Sequence, residues 1–235
     1  MKNLVQSAAA AWLAALVLTA CGGGGGDSPA GQGGPPLTVD ATGVSSFDST
    51  ALSASLTILP VESLSAAEKE TLAFMREEEK LAHDVYLQLD ARWNSVTRVF
   101  GNIARSESTH TEAIRQLLLR YALPDPAASL SAGRYQDTRL QALYTQLLAT
   151  GQLSLIDALK VGAAIEEIDI IDLNQALLTI DNQDIVLVYQ NLRKGSRNHL
   201  RSFVGTLSNQ GVTYVPQYLA PTDYQSIVST PIERG

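Results

Sequence analysis

The sequence predicts an all-α fold: an antiparallel four-helix bundle, with an extra short helix between the second and third long helices and an irregular C-terminal tail. Three observations carry that reading. Four stretches place apolar residues in alternating steps of three and four, the spacing that lines one face of a helix packed among others. Residues that start and stop helices bracket each stretch. Nothing in the 235 residues reads as a strand.

The elements follow in chain order. Ser65-Ala66-Ala67-Glu68 has capping-box spacing, in which the Ser and Glu side chains satisfy free amides at a helix start. The first long helix is expected over about 65 to 91, since neither Pro nor Gly interrupts the chain until Gly101. A turn at Trp93 to Thr97 offers Ser95 or Thr97 as the next cap. The second long helix is expected over about 98 to 121, ahead of Pro124. A looser stretch with Pro126 and Gly133 leads to the short helix, about 137 to 150, closed by Gly151. Ser154 caps the third long helix, which runs to about Thr179. Asp181 is the expected cap of the fourth, about 183 to 208, ending at Gly211. The bundle domain is thus 61–210, and 211–235 is a Pro- and Tyr-bearing tail packed across it.

Ahead of the bundle the chain reads differently. Lys2 is followed by an apolar stretch from Ala8 to Ala20, too short for a usual membrane span, so 1–20 is expected to be an export signal. Leu18-Thr19-Ala20-Cys21 resembles the bacterial lipobox, which implies lipidation at Cys21 and a lipoprotein of the cell envelope, with the outer membrane favoured because Gly22 follows the cysteine and with the domain facing the periplasm or the cell surface. The alternative is an ordinary secretory signal with a chance cysteine. Residues 21–60 are rich in Gly, Ser, Thr and Pro with few large apolar side chains, and are expected to be a flexible linker. Cys21 is the one cysteine, so no disulfide forms within the chain. The balance of 17 Lys and Arg against 24 Asp and Glu, with no basic run, argues against nucleic acid.

The faces of the four long helices carry the chemistry. They read Leu72, Met75, Glu79, Ala82, Tyr86, Leu89; then Phe100, Ile103, Glu107, His110, Ile114, Leu117, Tyr121; then Leu159, Ala163, Glu166, Ile170, Leu173, Leu177; then Ile185, Val188, Leu192, Ser196, His199, Phe203. Each is apolar at its ends and ionisable near its middle. An isolated buried carboxylate costs several kcal/mol unless it is paired or bound to metal. The Glu107-x-x-His110 spacing puts an oxygen and a nitrogen donor one turn apart on one side. Asp169 lies three residues after Glu166. Glu79, Glu107, His110, Glu166, Asp169 and His199 therefore match a site of the kind that holds two iron or manganese ions in bundle cores.

Blander readings stand beside this one. Glu77, Glu78, Lys80 and Glu112 are expected on a solvated face. His83, four residues after Glu79, is expected at the edge of the apolar seam, with metal binding as the alternative. Glu167 replaces Glu166 if the third helix rotates slightly. Tyr86 and Tyr189 read as core residues with a hydrogen-bonded hydroxyl, a ligand carboxylate being one partner for it. The whole set can also be a buried Glu-His network with no metal.

The stretch Glu79-Lys80-Leu81-Ala82-His83-Asp84-Val85-Tyr86 resembles the first-helix signature of rubrerythrin-like proteins, and Glu107-x-x-His110 their second-helix pair. The stretches 77–86, 102–110, 165–173 and Gly195-Ser196-Arg197-Asn198-His199-Leu200 together resemble domain-of-unknown-function family 2202 of the ferritin-like superfamily, over about 62 to 220. The resemblance implies a ferritin-like fold and a metal site. It also exposes a departure: Ser196 stands where that pattern puts a Glu three residues before His199. The expected function is an envelope protein that binds a metal pair and oxidises ferrous iron or reduces peroxide or dioxygen. The alternative is a non-catalytic metal-binding or structural lipoprotein. Expected partners are metal ions and the membrane through Cys21, with a homodimer left open.

Overall fold

The computed structural model describes residues 34–234. The export signal over 1–20, the lipidated Cys21 and the first part of the expected linker lie outside the described residues. Two short strands, β1 (Leu37–Val39) and β2 (Ser45–Phe47), pair antiparallel with Leu37 opposite Phe47 and Val39 opposite Ser45. Seven helices follow among the described residues: α1 (Ser49–Thr57), α2 (Ala66–Trp93), α3 (Val99–Arg120), α4 (Thr138–Gly151), α5 (Leu155–Ala176), α6 (Gln183–Asn209) and α7 (Pro221–Val228). The fold is mostly helical, as expected, with little strand.

The caps at the start of α2 and α5 are those read from the sequence. Ser65 Oγ accepts from the Glu68 amide at 3.2 Å, and the Ser65 amide donates to Glu68 Oε2 at 2.9 Å. Ser154 Oγ accepts from the Asp157 amide at 3.0 Å. The cap of α6 is Asn182 rather than Asp181, and its side chain makes no capping bond. Arg98 precedes α3 in the cap position, with Thr97 Oγ1 accepting from the Val99 amide at 3.3 Å.

The long helices pack pairwise, α2 on α3 and α5 on α6, with further contacts of α2 on α5 and α3 on α6. The core falls into two apolar groups. One holds Leu81, Val85, Leu89, Phe100, Ile103, Leu159, Leu200 and Phe203, and the other Leu72, Met75, Ile114, Leu117, Leu173, Ile185, Val188 and Leu192. The ionisable residues of α2, α3, α5 and α6 lie between these groups along each helix.

Three expectations are corrected. The expected linker is ordered over its described part, because Leu37, Leu52 and Leu56 are buried and dock the hairpin and α1 on a face that the long helices already provide. The hairpin turn is built locally. Asp40 Oδ1 accepts from the Thr42 amide at 2.7 Å and the Val44 amide at 3.1 Å, and Gly43 takes a left-handed φ of 88° that other residues adopt at a cost. The tail is not irregular throughout, since Pro221 opens α7. Glu77 and Glu78 are buried rather than solvated. Glu77 accepts from the amides of Gln136 and, at 3.0 Å, of Asp137, and so holds the start of α4.

Candidate metal centre

Each long helix delivers its mid-seam group to one place. Glu79 comes from α2, Glu107 and His110 from α3, Glu166 from α5 and His199 from α6, and none is more than 1% exposed. His110 Nδ1 lies 2.8 Å from Glu107 Oε2 and 3.4 Å from Glu79 Oε2. His199 Nδ1 lies 2.8 Å from Glu107 Oε1 and 3.4 Å from Glu166 Oε2. The arrangement is paired about Glu107: each of its oxygens faces one imidazole, and each imidazole faces one further glutamate. The two rings stack at 5.4 Å with 15° between their planes.

Short distances do not make these contacts hydrogen bonds. His110 Nδ1, His199 Nδ1, Glu107 Oε1, Glu166 Oε2 and both Glu79 oxygens are buried with no aligned partner. Buried polar atoms in folded proteins nearly always have one. Here the orphaned atoms face each other across a shared gap. In two groups, Glu79 with Glu107 and His110, and Glu107 with Glu166 and His199, one ligand atom per residue lies within 4.8 Å of the others. Two ligand bonds of roughly 2.0–2.2 Å to a shared ion span at most about 4.4 Å, which covers the 2.8 and 3.4 Å separations between the imidazoles and the carboxylates. The residues fit a metal pair that shares Glu107.

Charge follows the same geometry. Burial pushes the Glu107 carboxyl up, but the two imidazoles outweigh it and hold it well below the usual carboxylate range. Burial pushes both imidazoles down, and Glu107 outweighs that, raising His110 to about 10 and His199 to about 9 with help from Glu79 and Glu166 respectively. Burial raises Glu79 to about 8, against the pull of His110. Glu166 is also raised by burial, opposed chiefly by His199, and its Oε1 accepts from the Tyr86 hydroxyl at 2.6 Å.

A model of the family described as "Uncharacterized protein domain (DUF2202)" matches residues 68–231. The chain belongs to the DUF2202 family. "Uncharacterized protein MJ0754" of Methanocaldococcus jannaschii is 49% identical to it over 177 residues, 75% of this chain and 95% of that protein. A solved structure described as "Crystal structure of hypothetical protein MJ0754 from Methanococcus jannaschii DSM 2661" is similar with a TM-score of 0.72 and 48% identity, covering 74% of this chain and 99% of that chain. The DUF2202 match contains all five residues of the centre and begins after the hairpin and α1.

Of the six metal residues read from the sequence, the DUF2202 domain brings five together. Asp169 is buried but belongs to neither group of ligand atoms. Burial first, and then the charge of Glu78, pushes its carboxyl well above the usual range. Glu166 rather than Glu167 faces the centre. The Glu167 carboxylate instead accepts from the amides of Gln217, Tyr218 and Leu219, and pins the tail. His83 is half-buried and contacts Asp84. Ser196, at the departure from the ferritin-like pattern, donates to the Leu192 carbonyl at 3.2 Å. Sequence reasoning missed Ser45, whose Oγ lies 2.9 Å from His110 Nε2 and 3.0 Å from His199 Nε2. Its one available signal was the alternation Ser45-x-Phe47 on a short strand.

Proposed function

We propose that this chain is an exported, lipid-anchored member of the ferritin-like superfamily, whose helices α2, α3, α5 and α6 form an antiparallel four-helix bundle around a pair of iron or manganese ions. The observation that carries the reading is Glu107, with one oxygen turned to each of two imidazole Nδ1 atoms that make no hydrogen bond. Glu79 and His110 would hold one ion and Glu166 and His199 the other, with Glu107 common to both groups. The antiparallel arrangement is supported by the core. Residues of one apolar group follow the ligand on α2 and α6, and mostly precede it on α3 and α5.

A redox-active ion pair supplies the electrons to reduce dioxygen or peroxide, or accepts them from ferrous iron. The protein's part is to hold five ligands in a buried core, to offset most of the charge of two divalent ions with three carboxylates, and to fix Glu166 through Tyr86. Ligands must shed their protons to bind, so loading releases protons from the imidazoles and from Glu79. A reductant comes from outside, because a single cysteine makes no Cys-x-x-Cys carrier.

Elemental analysis of the purified chain is expected to give about two ions per chain, the number a paired carboxylate site holds. Glu107→Ala should lose both, and His199→Ala should lose one and keep one. Full metal content in Glu107→Ala would show the ligand set to be wrong. The complete burial of the centre favours a second reading, a non-catalytic metal-binding or structural lipoprotein. Iron-loaded chain that consumes neither peroxide nor dioxygen faster than free iron decides for that reading.

Export and anchoring rest on the sequence around Cys21 alone. No helix among the described residues is long and apolar enough to cross a membrane. Cys21→Ser should move the protein out of the membrane fraction, and unchanged fractionation sinks the lipid anchor.

A further inference from the structure

The hairpin ahead of the family domain enters the centre from the side opposite the carboxylates. Ser45 is fully buried, and its Oγ meets the Nε2 atoms of both ligand histidines at 2.9 and 3.0 Å. Ser106 Oγ lies 3.4 Å from the same hydroxyl and donates its own proton to the Ser45 carbonyl. The Phe47 amide donates to Thr109 Oγ1 at 3.0 Å, and the Phe47 ring stands edge-on to His110 at 5.7 Å. The backbone of β2 is thereby tied to α3 at the Ser45 carbonyl and at the Phe47 amide.

We propose that Ser45 is a positioning residue for the centre: one hydroxyl oxygen accepts the Nε2–H of both His110 and His199 and so commits both Nδ1 atoms to the ions. The proposal rests on the metal-binding reading above, and extends it to a residue outside the family match.

The hydrogen-bond inventory carries it. A serine hydroxyl has two lone pairs and one proton. Two Nε2–H donors fill the lone pairs, and the Ser45 proton is left for Ser106 Oγ, whose own proton is already spent on the Ser45 carbonyl. Every donor and acceptor around Ser45 then has a partner. In a neutral imidazole a proton on Nε2 leaves the lone pair on Nδ1, the atom that faces Glu79, Glu107 and Glu166. Partners of this sort on the far nitrogen fix tautomer and ring orientation in metal sites generally.

Gly195 is the space that allows the contact. A Cβ there would stand 2.7 Å from His110 Cε1 and 2.8 Å from Ser45 Oγ, so even alanine forces ring and hydroxyl to shift. A serine shared by two rings thus needs a glycine on the helix that brings the second ring.

The test uses the full-length chain labelled with nitrogen-15 histidine and loaded with Zn²⁺, a diamagnetic stand-in that leaves the ring signals visible. Three histidines make the spectrum simple, and His83 lies outside the centre. The expected result is two rings bound through Nδ1, with Nε2–H protons slow to exchange with water. Ser45→Ala should weaken Zn²⁺ binding by about 10–100-fold, the usual effect of removing a partner of a ligand histidine. It should also make both Nε2–H protons exchange quickly. Ser46→Ala, on the exposed face of the same strand, should change neither property.

The proposal is overturned if Ser45→Ala keeps its affinity and both slow protons, or if the rings bind through Nε2. It is also overturned if Ser46→Ala loses as much as Ser45→Ala, since the effect then belongs to the hairpin as a whole. A parent chain that takes up neither Zn²⁺, Mn²⁺ nor Fe²⁺ removes the metal reading itself, and this proposal with it.

Discussion

With its two oxygens turned to different imidazoles, Glu107 stays ionised, while Glu79, just as buried but facing one imidazole and the Glu107 charge, is raised to about 8. Position relative to the two rings decides the charge state, and burial alone does not. A pH dependence follows for the metal-free chain. His110 and His199 are raised to about 10 and about 9, so they contribute stability that is fully present below their unfolded value of about 6.5 and lost as pH rises through 9 and 10. Glu79, raised in the same sense, loses its contribution as pH rises through about 8. Glu107 is depressed, so its contribution is present above about 4.5 and is lost as pH falls through its folded value. Denaturant melts of metal-free chain should therefore show stability falling from about pH 7 to pH 10, and metal should flatten that slope because the Nδ1 atoms no longer titrate. An equal slope with and without metal would contradict the assigned contacts. At this scale the sequence was legible where one residue type at one spacing sufficed. Glu107 and His110 announce themselves three positions apart. Glu78 does not: it sits among Glu77, Glu79 and Lys80, and its burial depends on which neighbour α5 presents.

Among the elements, the long helices were readable because their signals are local and redundant. Ser65 and Glu68 fix the start of α2 within four residues, and the apolar stripe from Leu72 to Leu89 repeats over about five turns afterwards. The hairpin carries no such redundancy. Its strands have three residues each, and only Leu37 and Phe47 are large buried side chains in them. A surface that small holds its shape only against something already folded, so its order comes from contacts far away in the chain: the amide of Phe47 with Thr109, and the carbonyl of Thr42 with Ser202 at 2.8 Å. Composition over 21–60 therefore pointed to a linker, although the segment brings Ser45, whose hydroxyl meets the Nε2 atoms of both His110 and His199. The tail shows the same limit. The carboxylate of Glu167 gathers three tail amides, a long-range bond set that no periodicity within residues 211–235 foretells.

Across the whole molecule, two apolar groups hold opposite ends of the long helices, and the polar layer separates them. Each end packs without help from metal. The middle does not, since without ions both Glu79 oxygens, Glu107 Oε1, Glu166 Oε2 and the Nδ1 atoms of both imidazoles stay buried with no aligned partner. Metal that binds the folded state should raise the melting temperature in proportion to the logarithm of its free concentration above the dissociation constant. Its local effect is more distinctive. Ordinary helices open at their ends first, where hydrogen bonds meet water and packing is thin. In the metal-free chain the weakest packing instead lies around Glu79, Glu107, Glu166 and His199, near the helix midpoints. Deuterium exchange should consequently run from the inside outward: amides flanking those four residues should exchange ahead of amides near Leu89, Leu117, Leu173 and Ile185, and metal should restore the usual order. Exchange that begins at the helix ends in both states would mean that the centre is no weaker than the apolar ends that enclose it.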